Sequence, residues 1–438
     1  MFIWIGLDDT DSRNGGCTTH TATVIVKKSV DNGFDIIGFP RLVRLNPNIP
    51  WKTRGNGAIS IQVGKGTGKK TKIGEIDDKD IFCYEKLSEE IDISKVKSIV
   101  IDCVDKFAKL DDENTNSGVV ILDEKPGFDV YLKAVRKVVS LDETKDVLVK
   151  KNAFFKGYKN MRGLIGATAS IAWDNKNDRT FELISYREEK KWGSERLVDD
   201  ESTLEMDSMI SSTFDNFDSE NKHNRLVPSS PCPVLFGIRG ENSNDLIKAK
   251  EMIKSEKVDS WIIFESNQGT DDHLEKKKIS YVSVYDSVII NGTVSKKPYT
   301  IKGGHVIFSV KDGTGEIDCA AYEPTKEFRD IIRSLISGDS VEVYGGVRDK
   351  PLTVNLEKIK IIDLKKDFEK VENPVCPSCG KHMKSIGSNQ GYRCKKCGTK
   401  NDKAKTVEKK RKLRLGFYEA PVCARRHLSK PLKRMKSP

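Results

Sequence analysis

The chain has 438 residues, of which 32% are charged and 37% apolar. That length suits roughly three domains at about 150 residues each. No apolar run reaches the roughly 18 residues of a membrane-spanning helix, which excludes a membrane protein of that kind. The net charge of +11 is uneven: residues 401–438 hold 13 Lys and Arg against 3 Asp and Glu, so the first 400 are nearly neutral. Such a basic C-terminal tail (403–438) suits a polyanion such as nucleic acid, or it solubilises the chain. Met1-Phe2-Ile3-Trp4-Ile5 follows no basic region and precedes no cleavage site, so a cytoplasmic protein without a signal peptide is expected. The ten cysteines then read as metal ligands or free thiols.

Residues 2–5 form a short apolar strand that ends at Gly6 and runs into Leu7-Asp8-Asp9-Thr10-Asp11-Ser12. After the turn Asn14-Gly15-Gly16, residues 19–30 read as a helix stopped by Asn32-Gly33. Strands are expected at 39–45, 58–63 and 119–122, and helices at 84–96 and 128–139, giving a mixed α+β unit over 1–145. Residues 163–172 look helical. Strands at 181–186, 234–238 and 261–264 flank an amphipathic helix at 244–254, which suggests a split, ferredoxin-like domain over 146–278. Residues 199–230 are polar and expected to be loop-rich. From 279 to 366, strands at 288–294, 305–310, 316–322, 341–347 and 352–362, with one helix at 325–336, follow the pattern of an OB-fold barrel. The chain is therefore read as a multidomain α+β protein.

The clearest chemistry is Cys376-x2-Cys379-x14-Cys394-x2-Cys397, two knuckles that suit a structural, tetrahedral zinc ribbon over 367–402. All four ligands are thiolates, so no coordination position stays open for catalysis. Beside it, the OB-fold offers Tyr299, His305, Phe308 and Tyr344 as nucleic-acid contacts or as core.

Asp8, Asp9 and Asp11 crowd three carboxylates at the end of a strand. They repel one another unless a cation is present, and Mg2+ on a nucleotide phosphate is one such cation. Gly15-Gly16-Cys17-Thr18-Thr19 then opens a helix whose free N–H groups suit a phosphate. The alternative is an acidic turn with a threonine cap. Lys52-Thr53-Arg54-Gly55-Asn56 supplies two cations and a glycine that could clamp phosphates. Gly64-Lys65-Gly66-Thr67-Gly68-Lys69-Lys70-Thr71 fits neither phosphate-loop pattern and reads as a glycine-rich hairpin loop.

These motifs together resemble the archaeal tRNA(isoleucine) 2-agmatinylcytidine synthetases. The likeness rests on Gly6-Leu7-Asp8-Asp9-Thr10-Asp11-Ser12 with Cys17-Thr18-Thr19, on Lys52 to Asn56, and on Arg162-Gly163-Leu164-Ile165-Gly166-Ala167. It continues at Pro231-Cys232-Pro233-Val234-Leu235-Phe236-Gly237-Ile238-Arg239-Gly240-Glu241, at Asn267-Gln268-Gly269-Thr270-Asp271-Asp272-His273, at Gly303-Gly304-His305, at Ala321-Tyr322-Glu323-Pro324-Thr325-Lys326 and at Ala424-Arg425-Arg426-His427-Leu428-Ser429-Lys430-Pro431. Two positions depart from the family pattern. Ser229 stands where a histidine is usual, and Glu265 where an arginine precedes the Asn-Gln-Gly segment.

The resemblance implies a kinase-like N-terminal domain, a ferredoxin-like domain, an OB-fold and a zinc ribbon. It implies an ATP-dependent ligase that joins agmatine to carbon 2 of the wobble cytidine of an isoleucine tRNA with a CAU anticodon. On this reading Asp8, Asp9 and Asp11 hold Mg2+ on ATP, Thr18 is phosphorylated by the enzyme itself, and Lys52, Arg54, Gly55 and Asn56 meet phosphates. Asp271, Asp272 and Glu241 are candidates for the agmatine dication. Arg425, Arg426, Lys430 and His305 are candidate tRNA contacts. No membrane partner is expected, and nothing in the sequence demands more than a monomer. The second reading is a non-catalytic OB-fold and zinc-ribbon protein that binds nucleic acid; it has no use for the acidic cluster.

Overall fold

The computed structural model describes residues 3–89, 91–388 and 390–435. The expected starts of the first strand at Phe2 and of the chain at Met1, one residue of the expected 84–96 helix and the last three of the tail lie outside them. The first half is built on one ten-stranded sheet. An interior strand, β1 (Ile3–Asp8), is fully apolar except for its last residue and hydrogen-bonded antiparallel on one side to β4 (Gly57–Ile76) and on the other to β6 (Gly118–Leu122). The helix α1 (Thr18–Asp31) follows the acidic loop. Short strands β2 (Asp35–Ile37) and β3 (Arg41–Arg44) lead into β4, whose far half pairs with β5 (Lys79–Glu89). Helices α2 (Ile93–Phe107), α3 (Phe128–Arg136) and α4 (Leu141–Lys150) cover the sheet, and β7 (Phe154–Gly157) closes its edge against β6.

The sheet continues without a break into the second region. The helix α5 (Gly163–Ala172) lies against β1, and β8 (Thr180–Tyr186) runs between β11 (Val234–Gly240) and β12 (Ser260–Ser266). Between β8 and β11 come α6 (Asp200–Met209) and a two-stranded ribbon, β9 (Phe217–Asp218) with β10 (His223–Asn224). The helix α7 (Ser243–Met252) joins β11 to β12, which gives the expected split strand–helix–strand unit. Parallel pairing of β12 with β3 welds this unit to the first.

After β13 (Glu275–Lys276), five strands close a barrel: β14 (Ser287–Thr300), β15 (Val306–Lys311), β16 (Glu316–Ala321), β17 (Ser340–Arg348) and β18 (Thr353–Asp363). The helix α8 (Phe328–Arg333) precedes the fourth of them, the OB-fold order. β19 (Asp367–Glu372) starts a stalk to the ribbon strands β20 (Lys384–Ser385), β21 (Tyr392–Arg393) and β22 (Lys400–Asn401). The stalk returns as β23 (Lys405–Lys409), and β24 (Gly416–Glu419) adds a strand to β18 of the barrel.

Four expectations need correcting. Residues 84–89 are strand, because β5 pairs with β4 and covers the edge beside β2. The Gly64–Thr71 segment is strand as well; side-chain atoms at Gly64 and Gly66 would collide with Leu87 and Tyr84 of β5. Because β7 pairs with β6, the first unit runs past residue 145. The tail is only partly a solvated polycation: β23 leaves its lysines exposed, but from β24 onward the chain packs between the large sheet and the barrel.

Candidate functional site

The site is set by the close approach of α5 to β1. A side chain at Gly6 would meet the carbonyl of Ala167, and one at Gly163 would collide with the backbone at Gly118, so glycine at these positions brings helix and sheet together. One turn on, a Cβ at Gly166 would overlap the Asp8 carboxylate. The glycines of Gly163-Leu164-Ile165-Gly166 thus make the space in which Asp8 stands, at the end of β1 and on the wall of a cavity of about 610 Å3.

The three aspartates are not equivalent. Asp9 takes a left-handed backbone (φ 56°) and both its carboxylate oxygens are engaged: Oδ1 accepts from the Thr53 hydroxyl at 2.7 Å and Oδ2 from the Asn116 N–H at 2.7 Å. Asp11 pairs with the Arg54 guanidinium at 2.6 Å and stands 3.5 Å from the Thr18 hydroxyl, which itself accepts from Thr10 N–H at 3.3 Å. Asp8 accepts only the Asp9 N–H at 2.8 Å and has no cation partner among the described residues. Burial, then the Asp9 and Asp11 charges, push its carboxyl well above the usual carboxylate range. Burial also raises Asp9 and Asp11.

Arg54 is a brace. Besides Asp11 it donates to the carbonyls of Gly15 (3.1 Å) and Gly16 (2.7 Å) and to the Ser230 hydroxyl (2.6 Å). It thereby fixes the glycine turn before α1 and the loop of the departure at Ser229. Lys52 donates to the Pro47 carbonyl and lines the cavity; burial, followed by Arg426 and Arg348, pulls its ammonium down to about 8. Gly55 leaves room for Arg44 Nη1 and the His427 ring, while Asn56 (φ 49°) closes the loop through Asn46 at 2.8 Å.

The sequence motifs reveal little of the arginine lining of the cavity. Arg44, Arg162, Arg225 and Arg239 line the cavity with His427, whose imidazole is held well below its usual range first by the Arg44 charge and then by burial. Buried Glu182 sits between Arg44 (3.4 Å) and Arg239 (3.5 Å). These residues come from six separate segments; only Arg162, Arg239 and His427 fall inside or beside recognisable strings, and those were the available signal.

The structure does not bring the other candidates to the cavity. Asp271 pairs with the buried Lys358 ammonium at 2.6 Å and accepts Lys430 N–H at 2.7 Å; Asp272 accepts the Tyr131 hydroxyl at 2.7 Å; Glu241 pairs with Arg434 at 2.8 Å. They are anchors between regions. Arg425 is buried against Asp215 and Glu419, Arg426 donates to Asn48 at 2.6 Å, and Lys430 pairs with Asp178 at 2.8 Å, so these three cations hold the fold together, whereas Lys405, Lys409, Lys410, Lys412 and Arg414 stay exposed. Glu265, the second departure, is buried between Asn175 (2.8 Å) and Arg179 (3.1 Å). On the barrel, Phe308 and Tyr344 are core, Tyr299 is exposed, and His305 accepts the Glu323 N–H at 2.9 Å.

The four ribbon cysteines converge, their sulfur atoms all within 4.8 Å of one another. Cys376 and Cys397 Sγ lie 3.3 Å apart and Cys379 and Cys394 Sγ 3.5 Å, a spacing and a donor set that fit tetrahedral zinc. No helix among the described residues is long and apolar enough to cross a membrane.

Family models match the chain in order: the TiaS TCKD domain over residues 4–160, the TiaS FLD domain over 161–273, the OB-fold nucleic acid binding domain over 288–362, and the TiaS C-terminal zinc ribbon domain over 373–413. The tRNA(isoleucine) 2-agmatinylcytidine synthetase TiaS of Methanocaldococcus jannaschii is 43% identical over 99% of each chain. Two crystal structures are similar over 100% of this chain and 98% of theirs. The complex of TiaS with its isoleucine tRNA and ATP has a TM-score of 0.85 at 42% identity. The complex of TiaS with that tRNA, AMPCPP and agmatine has a TM-score of 0.83 at 40% identity.

Proposed function

We infer that the chain, which belongs to the tRNA(isoleucine) 2-agmatinylcytidine synthetase family, attaches agmatine to a tRNA in an ATP-dependent reaction. The substrate is an isoleucine tRNA with a CAU anticodon, and the acceptor is carbon 2 of its wobble cytidine. One observation carries this reading: a single cavity joins an acidic loop, with Asp8 unpaired over Gly166, to a wall of arginines. A polyphosphate with its cation needs both.

The oxygen on carbon 2 of cytosine is a poor leaving group. Transfer of a phosphoryl group from ATP to that oxygen makes it a good one. The agmatine amine then forms a bond to carbon 2, the C2–O bond breaks, phosphate leaves with the oxygen, and the amine loses a proton. Asp8 and Asp11 are the carboxylates that fit Mg2+, which when bound neutralises charge on the phosphates. Asp9 orients them: its two oxygens hold Thr53 and Asn116 and so fix the loop on either side. Arg54 sets Asp11 and the start of α1, where Thr18 is the proposed position of self-phosphorylation. Lys52 and the arginines that line the cavity balance the phosphate charge. Glu182, held between Arg44 and Arg239, positions these two guanidiniums. The target base must leave the anticodon stack to reach the cavity.

The test is incorporation of labelled agmatine into an unmodified isoleucine tRNA transcript with a CAU anticodon, with and without ATP. ATP-dependent label on the wobble cytidine is expected. Tight tRNA binding with no label and no ATP consumption would return the chain to the non-catalytic reading.

A further inference from the structure

We propose that Trp51, with Arg162 stacked on it, is a shelf that holds an unpaired base of the tRNA at the mouth of the cavity; this rests on the function inferred above. Trp4, Trp173 and Trp261 are buried and Trp192 is partly buried, whereas Trp51 is 46% exposed. An indole left in water by a folded chain calls for an occupant. The Arg162 guanidinium lies 4.7 Å from the ring centroid, and no carboxylate pairs with it among the described residues. A planar cation on one aromatic ring makes a flat, electron-poor platform of the kind on which nucleobases stack.

The shelf is tied to the chemistry. Thr53 and Arg54, two and three residues on, are the side chains that hold Asp9 and Asp11. It is tied to the barrel as well. Tyr285 meets the Trp51 ring edge-on at 5.9 Å, and its carbonyl accepts from Asn46 at 3.1 Å. Arg348 of β17 is near enough to Lys52 to lower its ammonium pKa, and stacks on Tyr322 at 5.1 Å. A second cation–aromatic pair, Arg348 on Tyr322, therefore lies on the OB-fold side of Lys52. Two nucleobases visit this enzyme, the adenine of ATP and an unstacked tRNA base. The side facing the barrel assigns the shelf to the second.

The experiment uses the full chain and its Trp51→Phe and Trp51→Ala variants. Tryptophan fluorescence is followed as Mg-ATP or unmodified tRNA is added, and modification is measured by labelled agmatine. We expect tRNA to quench the wild type and the quench to shrink in W51F, with Mg-ATP alone leaving the signal unchanged. W51A should lower kcat/KM for tRNA about 10- to 100-fold, the range of one base–aromatic stack. W51F should restore most of it, and the Kd of Mg-ATP should hold throughout. Quenching by Mg-ATP alone, with only the ATP KM raised in W51A, would give the shelf to adenine and overturn the proposal. Equal kcat/KM for tRNA in W51A and wild type would overturn it too. A wild type that makes no product at all would instead overturn the function on which the shelf rests.

Discussion

The acidic loop and the zinc ribbon place their functional side chains by opposite means. Asp8 ends a strand buried on both edges of a ten-stranded sheet, above a core that includes Ile3, Ile5, Leu7, Ile59, Ile61 and Val119. The ribbon buries little besides Cys376, Met383 and Cys394, and Val375 and Ile386 stay exposed. Its two-stranded stalk leaves Phe368, Val371 and Val407 in water. A module this small cannot order itself by apolar burial, so metal–thiolate bonds take that part. In the loop, the fold sets the geometry of the carboxylates. In the ribbon, the ligand geometry creates the fold.

The sharpest way to break this contrast is to remove zinc. Structural zinc contributes about 10–16 kcal/mol of apparent binding energy in small modules, far more than the ribbon's core can replace. Chelation, or Cys394→Ser, should open residues 373–404 to protease while the thermal transition of the sheet and barrel stays where it was. Affinity for tRNA should fall and Mg-ATP binding should persist. A single transition that shifts for the whole chain would mean that the ribbon is packed into the body and that the contrast is false.

The complementary change is Gly166→Ala. In an ordinary exposed helix, alanine for glycine stabilises by about 0.5–1 kcal/mol. Here the new methyl overlaps the Asp8 carboxylate and must push it aside. A loss of about 100- to 1000-fold in kcat is expected, as for one misplaced electrostatic group, with the chain still folded by circular dichroism. Adding Asp8→Ala to Gly166→Ala should cost little more, since both act on the same carboxylate. Additive losses would show that Gly166 acts on something else.

What could be read beforehand divides along the same line. The Cys spacing located the ribbon because thiolate ligands must come in tight pairs, and all four sulfurs do converge. The helix at 163–172 was legible from its apolar run, though the reason for its glycines lay in contacts with β1 and β6. Residues 84–89 looked helical because Lys and Glu are good helix formers; edge pairing with β4 overrode that preference. The tail misled for a related reason. A charge count says nothing of partners, and Arg425 finds Asp215, some 210 positions away in sequence. The arginine lining is legible only in part, at Arg162, Arg239 and His427, because its members are gathered only by the fold.

Lys52 gives the smallest effect and the finest test of that lining. Its ammonium is pulled down to about 8 by burial, Arg426 and Arg348, so it is charged below that pH and loses its charge as pH rises through it. A bound phosphate favours the charged form, so ATP binding above pH 8 must take up a proton, and affinity should weaken as pH rises by about tenfold, the low end for a hydrogen bond to a charged group. Lys52→Arg should flatten the profile, and Lys52→Met should be weak at every pH. Calorimetry in two buffers of different ionisation enthalpy reads the proton directly. If wild type and Lys52→Arg show the same uptake, Lys52 is bound to Pro47 for structure alone, and phosphate charge is met entirely by the arginines.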